Sequence, residues 1–209
     1  MTNNLIFKFA AMNAGKTLSI IATYYSYKQQ GLEKILILKP SSDTKGDKNI
    51  ISRNGNTIAV DFLIDEKDNI CEKLAYTLVT NDIECIIVDE AQFLKEEQIK
   101  QLSDIVDYHG IDVICYGLRA DFQGNLFPGS IGLFQYADII EPLDLKARCR
   151  CGEIAIMNTR KVDGQFVFEG KQVAIDGEAN ISYESLCRKC YKEEQKKYLE
   201  KNKIKKLIK

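Results

Sequence analysis

The chain has 209 residues, 45% of them hydrophobic and 28% charged, with a formal net charge of −1, which suits one α/β domain plus a small appendage and suffices to bury a core. A charge this close to zero implies no global attraction to nucleic acid or to a membrane surface. No apolar run approaches the ~18 residues that cross a bilayer and the N-terminus has no signal-peptide pattern, so a soluble, cytoplasmic protein is expected.

The first predicted element is a strand over Leu5–Phe9, followed by Ala10-Ala11-Met12-Asn13-Ala14-Gly15-Lys16-Thr17 and a helix over Lys16–Gln30. Gly-Lys-Thr at a strand-to-helix junction is the core of a Walker A phosphate loop. Main-chain N–H groups there curve around a polyphosphate, Lys16 reaches its outer phosphates and the Thr17 hydroxyl can ligate Mg²⁺. The helix start adds the positive end of its dipole. The usual first glycine is replaced by Ala10, so a small-residue turn without function is the alternative.

Further strands are expected at Lys34–Leu38 and Ile58–Leu63, with the polar stretch Pro40–Gly55 between them read as a loop. A helix is expected at Asn69–Thr80. The run Glu84–Val88 is short and almost wholly apolar, as a parallel strand covered on both faces reads, and it ends in Asp89-Glu90. Carboxylates at the carboxyl end of such a strand lie where open α/β sheets bind ligands, which makes Asp89 the Walker B residue for Mg²⁺. Taken alone, Asp89-Glu90 reads better as the opening of the next turn and helix; with the phosphate loop ahead of it, the nucleotide-site reading wins. That helix is expected over Lys95–His109; its terminal His109, the single histidine, fits a helix C-terminus better than a catalyst. A strand over Asp112–Gly117 completes an alternating pattern. The expected fold is α/β: a P-loop NTPase, RecA-like parallel sheet with helices on both faces, followed by a small zinc-stapled unit.

Seven cysteines fall into two groups. Cys71, Cys85 and Cys115 stand singly in regular segments and read as buried hydrophobes. Cys149-Arg150-Cys151 and Cys187-Arg188-Lys189-Cys190 form two close pairs, which a hairpin-like excursion could bring together as a closed structural Zn²⁺ site. Disulfides, disfavoured in a reducing cytosol, and a zinc-free role are the alternatives. From about Leu145 the pattern changes to short β-like segments, so the organisation expected is 1–144 for ATP binding, 145–192 for zinc and 193–209 for a Lys-rich tail. Such a tail could meet an acidic partner but more often is a solvated, fraying helix.

Three segments together resemble the zinc-containing thymidine kinase family: Ala11-Met12-Asn13-Ala14-Gly15-Lys16-Thr17, Val88-Asp89-Glu90-Ala91-Gln92-Phe93-Leu94, and Cys115-Tyr116-Gly117-Leu118-Arg119-Ala120-Asp121-Phe122-Gln123-Gly124. Tyr183-Glu184-Ser185-Leu186-Cys187-Arg188-Lys189-Cys190-Tyr191 matches the end of that family's zinc module. Enterobacterial members also lack the first Walker glycine.

The resemblance implies transfer of the ATP γ-phosphoryl group to the 5′-hydroxyl of thymidine, with deoxyuridine as a further substrate, and Glu90 as general base. It places ATP contacts at Ala10, Ala11, Met12, Asn13, Ala14, Gly15, Lys16 and Thr17 and at Asp89, Glu90, Ala91 and Gln92. Thr17 and Asp89 would hold Mg²⁺, and Cys149, Cys151, Cys187 and Cys190 a structural Zn²⁺. Met12, Phe93, Leu118, Phe122, Phe127, Thr159 and Tyr183 occupy nucleoside-contact positions, although Leu118 and Phe127 read equally well as core. Gln165–Ser182 resembles the family's lasso loop but carries Ile175-Asp176-Gly177, with two extra residues before Tyr183. At position 45 a lysine replaces the family's arginine, a point charge in place of a fork. The family also implies a homotetramer and feedback by dTTP, with neither nucleic acid nor membrane as partner. Two other classes stay open: a zinc-ribbon nucleic-acid adaptor, against which the intact Lys16-Thr17 and Asp89-Glu90 speak, and a regulatory P-loop ATPase, which thymidine-independent ADP release would mark.

Overall fold

A computed structural model describes residues 3–44, 46–52, 55–173 and 180–207, the side chains from 204 on excepted. Lys45 and the Ile175-Asp176-Gly177 segment lie outside the described residues. The chain divides into two compact units: residues up to Phe9 with Gly15–Arg119 and Phe127–Leu143, and Ala10–Ala14 with Ala120–Leu126 and the chain from Asp144 on. No helix among the described residues is long and apolar enough to cross a membrane.

The first unit is built on β1 (Leu5–Ala10), β2 (Ile35–Pro40), β5 (Phe62–Ile64), β6 (Cys85–Val88), β7 (Asp112–Leu118) and β8 (Ile139–Pro142), with β3 (Asn49–Ile51) and β4 (Thr57–Ala59) as a separate antiparallel pair. Six strands form one sheet in the order β5-β2-β6-β7-β1-β8; β2 is parallel to β5 and β6, β6 to β7, and β1 to β8. The helices are α1 (Lys16–Gln29), α2 (Ile70–Thr80), α3 (Glu96–His109) and α4 (Pro128–Tyr136). Strands β2 and β6 are buried along their whole length, so both faces of the sheet centre are covered, as the apolar runs Ile35–Leu38 and Cys85–Val88 require. Leu5, Phe7, Leu36, Leu38, Ile86 and Val88 from the sheet meet Leu74 of α2 and Ile99, Leu102 and Ile105 of α3 in one core. Cys115 is buried in it and the partly buried Cys71 packs against it; Cys85 is buried as well. His109 is exposed and ends α3, where the helix carbonyls favour it.

Two expectations change. Ile58–Leu63 is not one strand: Thr57–Ala59 pairs with β3 and Phe62–Ile64 with β2. Asp61 makes the break, because its carboxylate takes the Ile37 N–H at 2.7 Å while its own N–H donates to Ile37 O. The stretch Pro40–Gly55 is not wholly loop, since Asn49–Ile51 lies in it and Ile50 packs inward. The buried Lys39 ties this excursion to the end of β2 through an ion pair to Asp43 and a hydrogen bond to Asp47 O.

The second unit carries an antiparallel sheet in the order β10-β9-β11, from β9 (Met157–Val162), β10 (Gln165–Val167) and β11 (Ile181–Leu186), followed by α5 (Arg188–Leu207). Its core gathers Cys149, Ala155, Phe168, Leu186, Cys187, Cys190 and Tyr191.

Candidate active site

Helix α1 starts in an electrically unusual way. Its N-cap is Gly15 at φ 83°, a left-handed conformation suited to glycine, with no side-chain cap and no acidic residue in the first turn. The first helical residue is instead Lys16, a cation at the positive end of the dipole. Asn13, at φ 62°, is left-handed too. Left-handed residues of this kind are found where successive N–H groups turn toward an anion. A helix start that lacks an anion of its own and adds a cation is arranged for an external anion.

Lys16 Nζ stands 3.4 Å from Glu90 Oε1. Asp89, at the end of β6, is 7% exposed. Burial and the neighbouring Glu90 charge push its carboxyl up to about 7, while Lys16 and the Glu90 N–H pull the other way. A buried carboxylate whose ionised form is this costly is an oxygen donor suited to a hard divalent cation, and the partly buried Thr17 supplies a hydroxyl one residue after Lys16.

Glu90 sits at φ 46°, unusual for a side-chain-bearing residue, and opens the short 3₁₀ turn Ala91–Phe93. Its N–H donates to Asp89 Oδ1 at 2.8 Å, and its Oε2 accepts from Gln92 Nε2 at 2.6 Å. Gln92 is fully buried, and its Oε1 accepts the Leu118 N–H at 2.9 Å, so this amide links Glu90 to the end of β7. A Cβ on Gly117 would lie 2.9 Å from that Oε1, which keeps the position free of a side chain. Ser130 Oγ donates to Leu118 O, anchoring the start of α4 to the same strand end. Phe93 and Phe127 meet edge to face with centroids 5.6 Å apart, and Leu118 and Phe127 are buried.

The remaining predicted contacts fall in the second unit. Asn158 bridges two of its segments: its Oδ1 accepts the Met12 N–H and its Nδ2 donates to Ala120 O, both at 2.8 Å. Ser185 Oγ donates to Met12 O. Thr159 is fully buried and its hydroxyl donates to Glu184 O at 2.7 Å. Tyr191 Oη donates to Phe122 O. Neither Asn158, Ser185 nor Arg160 was singled out by the sequence, because polar residues in a short strand ordinarily read as solvent-facing.

Cys149, Cys151, Cys187 and Cys190 bring their four sulfurs within 4.8 Å of one another. Cys151 and Cys187 are 3.6 Å apart, too far for a disulfide and suited to two thiolates on one Zn²⁺. The close Cys149-Arg150-Cys151 spacing is met by a tight turn in which Gly152 N–H returns to Cys149 O and Cys149 N–H to Glu153 O. Cys187 and Cys190 sit at the start of α5, where the Cys190 N–H points at Cys187 Sγ. Four sulfurs and no open position make a closed, structural donor set.

A family model described as thymidine kinase matches residues 3–191. The thymidine kinase of Enterobacteria phage T4 is 45% identical over 196 residues, covering 93% of this chain and 98% of that protein. The thymidine kinase of Shewanella oneidensis is 42% identical over 191 residues, 90% and 96% of the two chains. Among solved structures, the Pif1 helicase of Candida albicans is similar over 66% of this chain and 36% of that one, with a TM-score of 0.44 and 12% identity.

Proposed function

Because the chain belongs to the thymidine kinase family, we propose that it transfers the γ-phosphoryl group of ATP to the 5′-hydroxyl of thymidine, giving thymidine monophosphate and ADP. The observation that carries this reading is the Lys16–Glu90 pair beside buried Asp89, at a helix start that carries no anion of its own.

The Glu90 carboxylate accepts the proton of the 5′-hydroxyl as that oxygen bonds to the γ-phosphorus and the bridging P–O bond to ADP breaks. Lys16 would neutralise the negative charge carried by the γ-phosphoryl oxygens and by the departing ADP in a loose transition state. Gln92 holds Glu90 Oε2, which leaves Oε1 to face both Lys16 and the hydroxyl. Thr17 and Asp89 would hold Mg²⁺, which when bound neutralises the β- and γ-phosphate oxygens. Positioning and charge neutralisation dominate such a transfer.

The nucleoside is proposed to contact Met12, Phe93, Leu118, Phe122, Phe127, Thr159 and Tyr183, whose apolar faces suit a pyrimidine. The phosphate contacts are proposed at 10–17 and 89–92. Zn²⁺ held by the four cysteines is structural. Residues 1–144 carry ATP, 145–192 the zinc unit and 193–209 the tail. A homotetramer in the cytoplasm, inhibited by dTTP, and a tolerance for deoxyuridine complete the proposal and rest on the family alone.

The test is direct. Purified protein incubated with Mg-ATP and a panel of nucleosides is expected to convert thymidine to its 5′-monophosphate, with deoxyuridine second and ribonucleosides far behind. ADP release that is independent of any nucleoside would replace this reading with a plain ATPase.

A further inference from the structure

Arg160, on β9, is 5% exposed and forms no ion pair among the described residues. Burying a guanidinium is costly unless its N–H groups are met in place, and here they are. Nε donates to Tyr183 Oη at 3.2 Å, and the two terminal nitrogens donate to Lys171 O and Gln172 O, each at 2.8 Å. Its plane lies 3.8 Å from the Phe122 ring centroid and 5.5 Å from that of Tyr183. Gln172 is gripped a second time, because its side-chain Nε2 donates to the buried Asp121 Oδ2 at 3.0 Å. One cation thus fixes two aromatic rings and the main chain at Lys171 and Gln172.

We propose that Arg160 is the positioning residue for the base end of the nucleoside site, holding Phe122, Tyr183 and the backbone at 171–172 in the arrangement that receives a pyrimidine. This rests on the thymidine reading above. The geometry selects arginine over lysine: three nitrogens of one guanidinium donate in three directions while it lies over the Phe122 ring, which an ammonium cannot reproduce. Arg160 touches neither phosphate nor the transferred proton in this account, so its effect falls on nucleoside affinity and not on the chemical step. The buried Asp121 is the outer half of the same clamp.

The experiment compares wild type, Arg160→Lys, Arg160→Met and Gln172→Ala for KM of thymidine, KM of ATP, kcat, bound zinc and melting temperature. Arg160→Lys and Arg160→Met are expected to raise the thymidine KM by about tenfold or more, the loss of two or three hydrogen bonds to a charged group. The ATP KM, kcat and zinc content should stay within about threefold of wild type, the scatter of remote changes. Gln172→Ala, which removes the outer grip and leaves the buried cation in place, should raise the thymidine KM by about threefold and keeps the test decisive if the Arg160 variants do not fold. An unchanged thymidine KM in an active Arg160→Lys or Gln172→Ala protein overturns the inference alone. So does a parallel rise in both KM values with a lowered melting temperature. A wild-type protein without nucleoside kinase activity overturns the underlying reading.

Discussion

Glu90 is restrained from three sides: its own N–H on Asp89, its Oε2 on Gln92 and its Oε1 toward Lys16. Glu90→Gln should keep these contacts in outline and lose the proton acceptor. A fall in kcat of about 10²–10⁴-fold with the thymidine KM nearly unchanged is therefore expected, the ordinary range for a general base. Asp89 carries a second prediction. Its carboxyl is raised in the folded state from the ordinary 3.8 to about 7. At low pH both folded and unfolded forms hold the proton and nothing is lost. As pH climbs through about 4 to 7, the unfolded chain releases the proton freely while the folded chain ionises only at a cost. Without divalent cation or nucleotide, stability should therefore fall across that window by on the order of 2–4 kcal/mol. Urea melts at pH 4.5 and 7.5 measure it, and Asp89→Asn should flatten the difference. Both carboxylates were legible in the sequence, since an apolar run ending in Asp-Glu names them. What the sequence withheld was the restraint: that the Gln92 amide spans from Glu90 to Leu118 follows only from the tertiary arrangement.

Helix α4 shows why one element escaped the sequence. Pro128–Tyr136 contains Gly129 and Gly132, weak helix formers, and no clear polar face, so helical periodicity is absent. The glycines are there for contact. A Cβ on Gly129 would fall 2.2 Å from Ala91 O and 2.9 Å from Leu94 O, and one on Gly132 would lie 2.9 Å from Ile99 Cβ. The helix start thus presses on the turn that carries Glu90 and Phe93. Gly129→Ala meets backbone that cannot step aside, and should cost about 2–3 kcal/mol by overpacking. A melting-temperature loss together with a lower kcat is expected; a loss of stability with full kcat would separate α4 from the active turn. The Ile58–Leu63 run was misread for a different reason. Its residues are apolar around one aspartate, and only the Asp61 contact with Ile37 reveals that the two halves serve different sheets.

Across the whole molecule the strongly periodic parts were readable and the polar-cored part was not. The strands of the parallel sheet with apolar runs and the helices α1, α2 and α3 follow from pattern and spacing. The second unit hides three successive buried polar residues, Asn158, Thr159 and Arg160, in its central strand, a pattern that inverts the usual rule of hydrophobic interiors. Its four clustered cysteines could hold a metal ion, and on the proposed reading that metal would contribute to its stability. One Zn²⁺ per chain is expected by elemental analysis, and Cys187→Ser should lose it with a melting-temperature drop of at least ~5 °C, since ligation of such a small core is folding energy. A fully stable, zinc-free Cys187→Ser protein would show that the four sulfurs serve something else.

The most direct test of the account follows phosphorus through a single turnover. With γ-labelled ATP, magnesium and thymidine, rapid-quench measurement on wild type should show label passing to the nucleoside 5′-oxygen, and Glu90→Gln should slow that step by about 10²–10⁴-fold without loss of nucleoside binding. Label appearing as inorganic phosphate, or an undiminished transfer rate in Glu90→Gln, would contradict it.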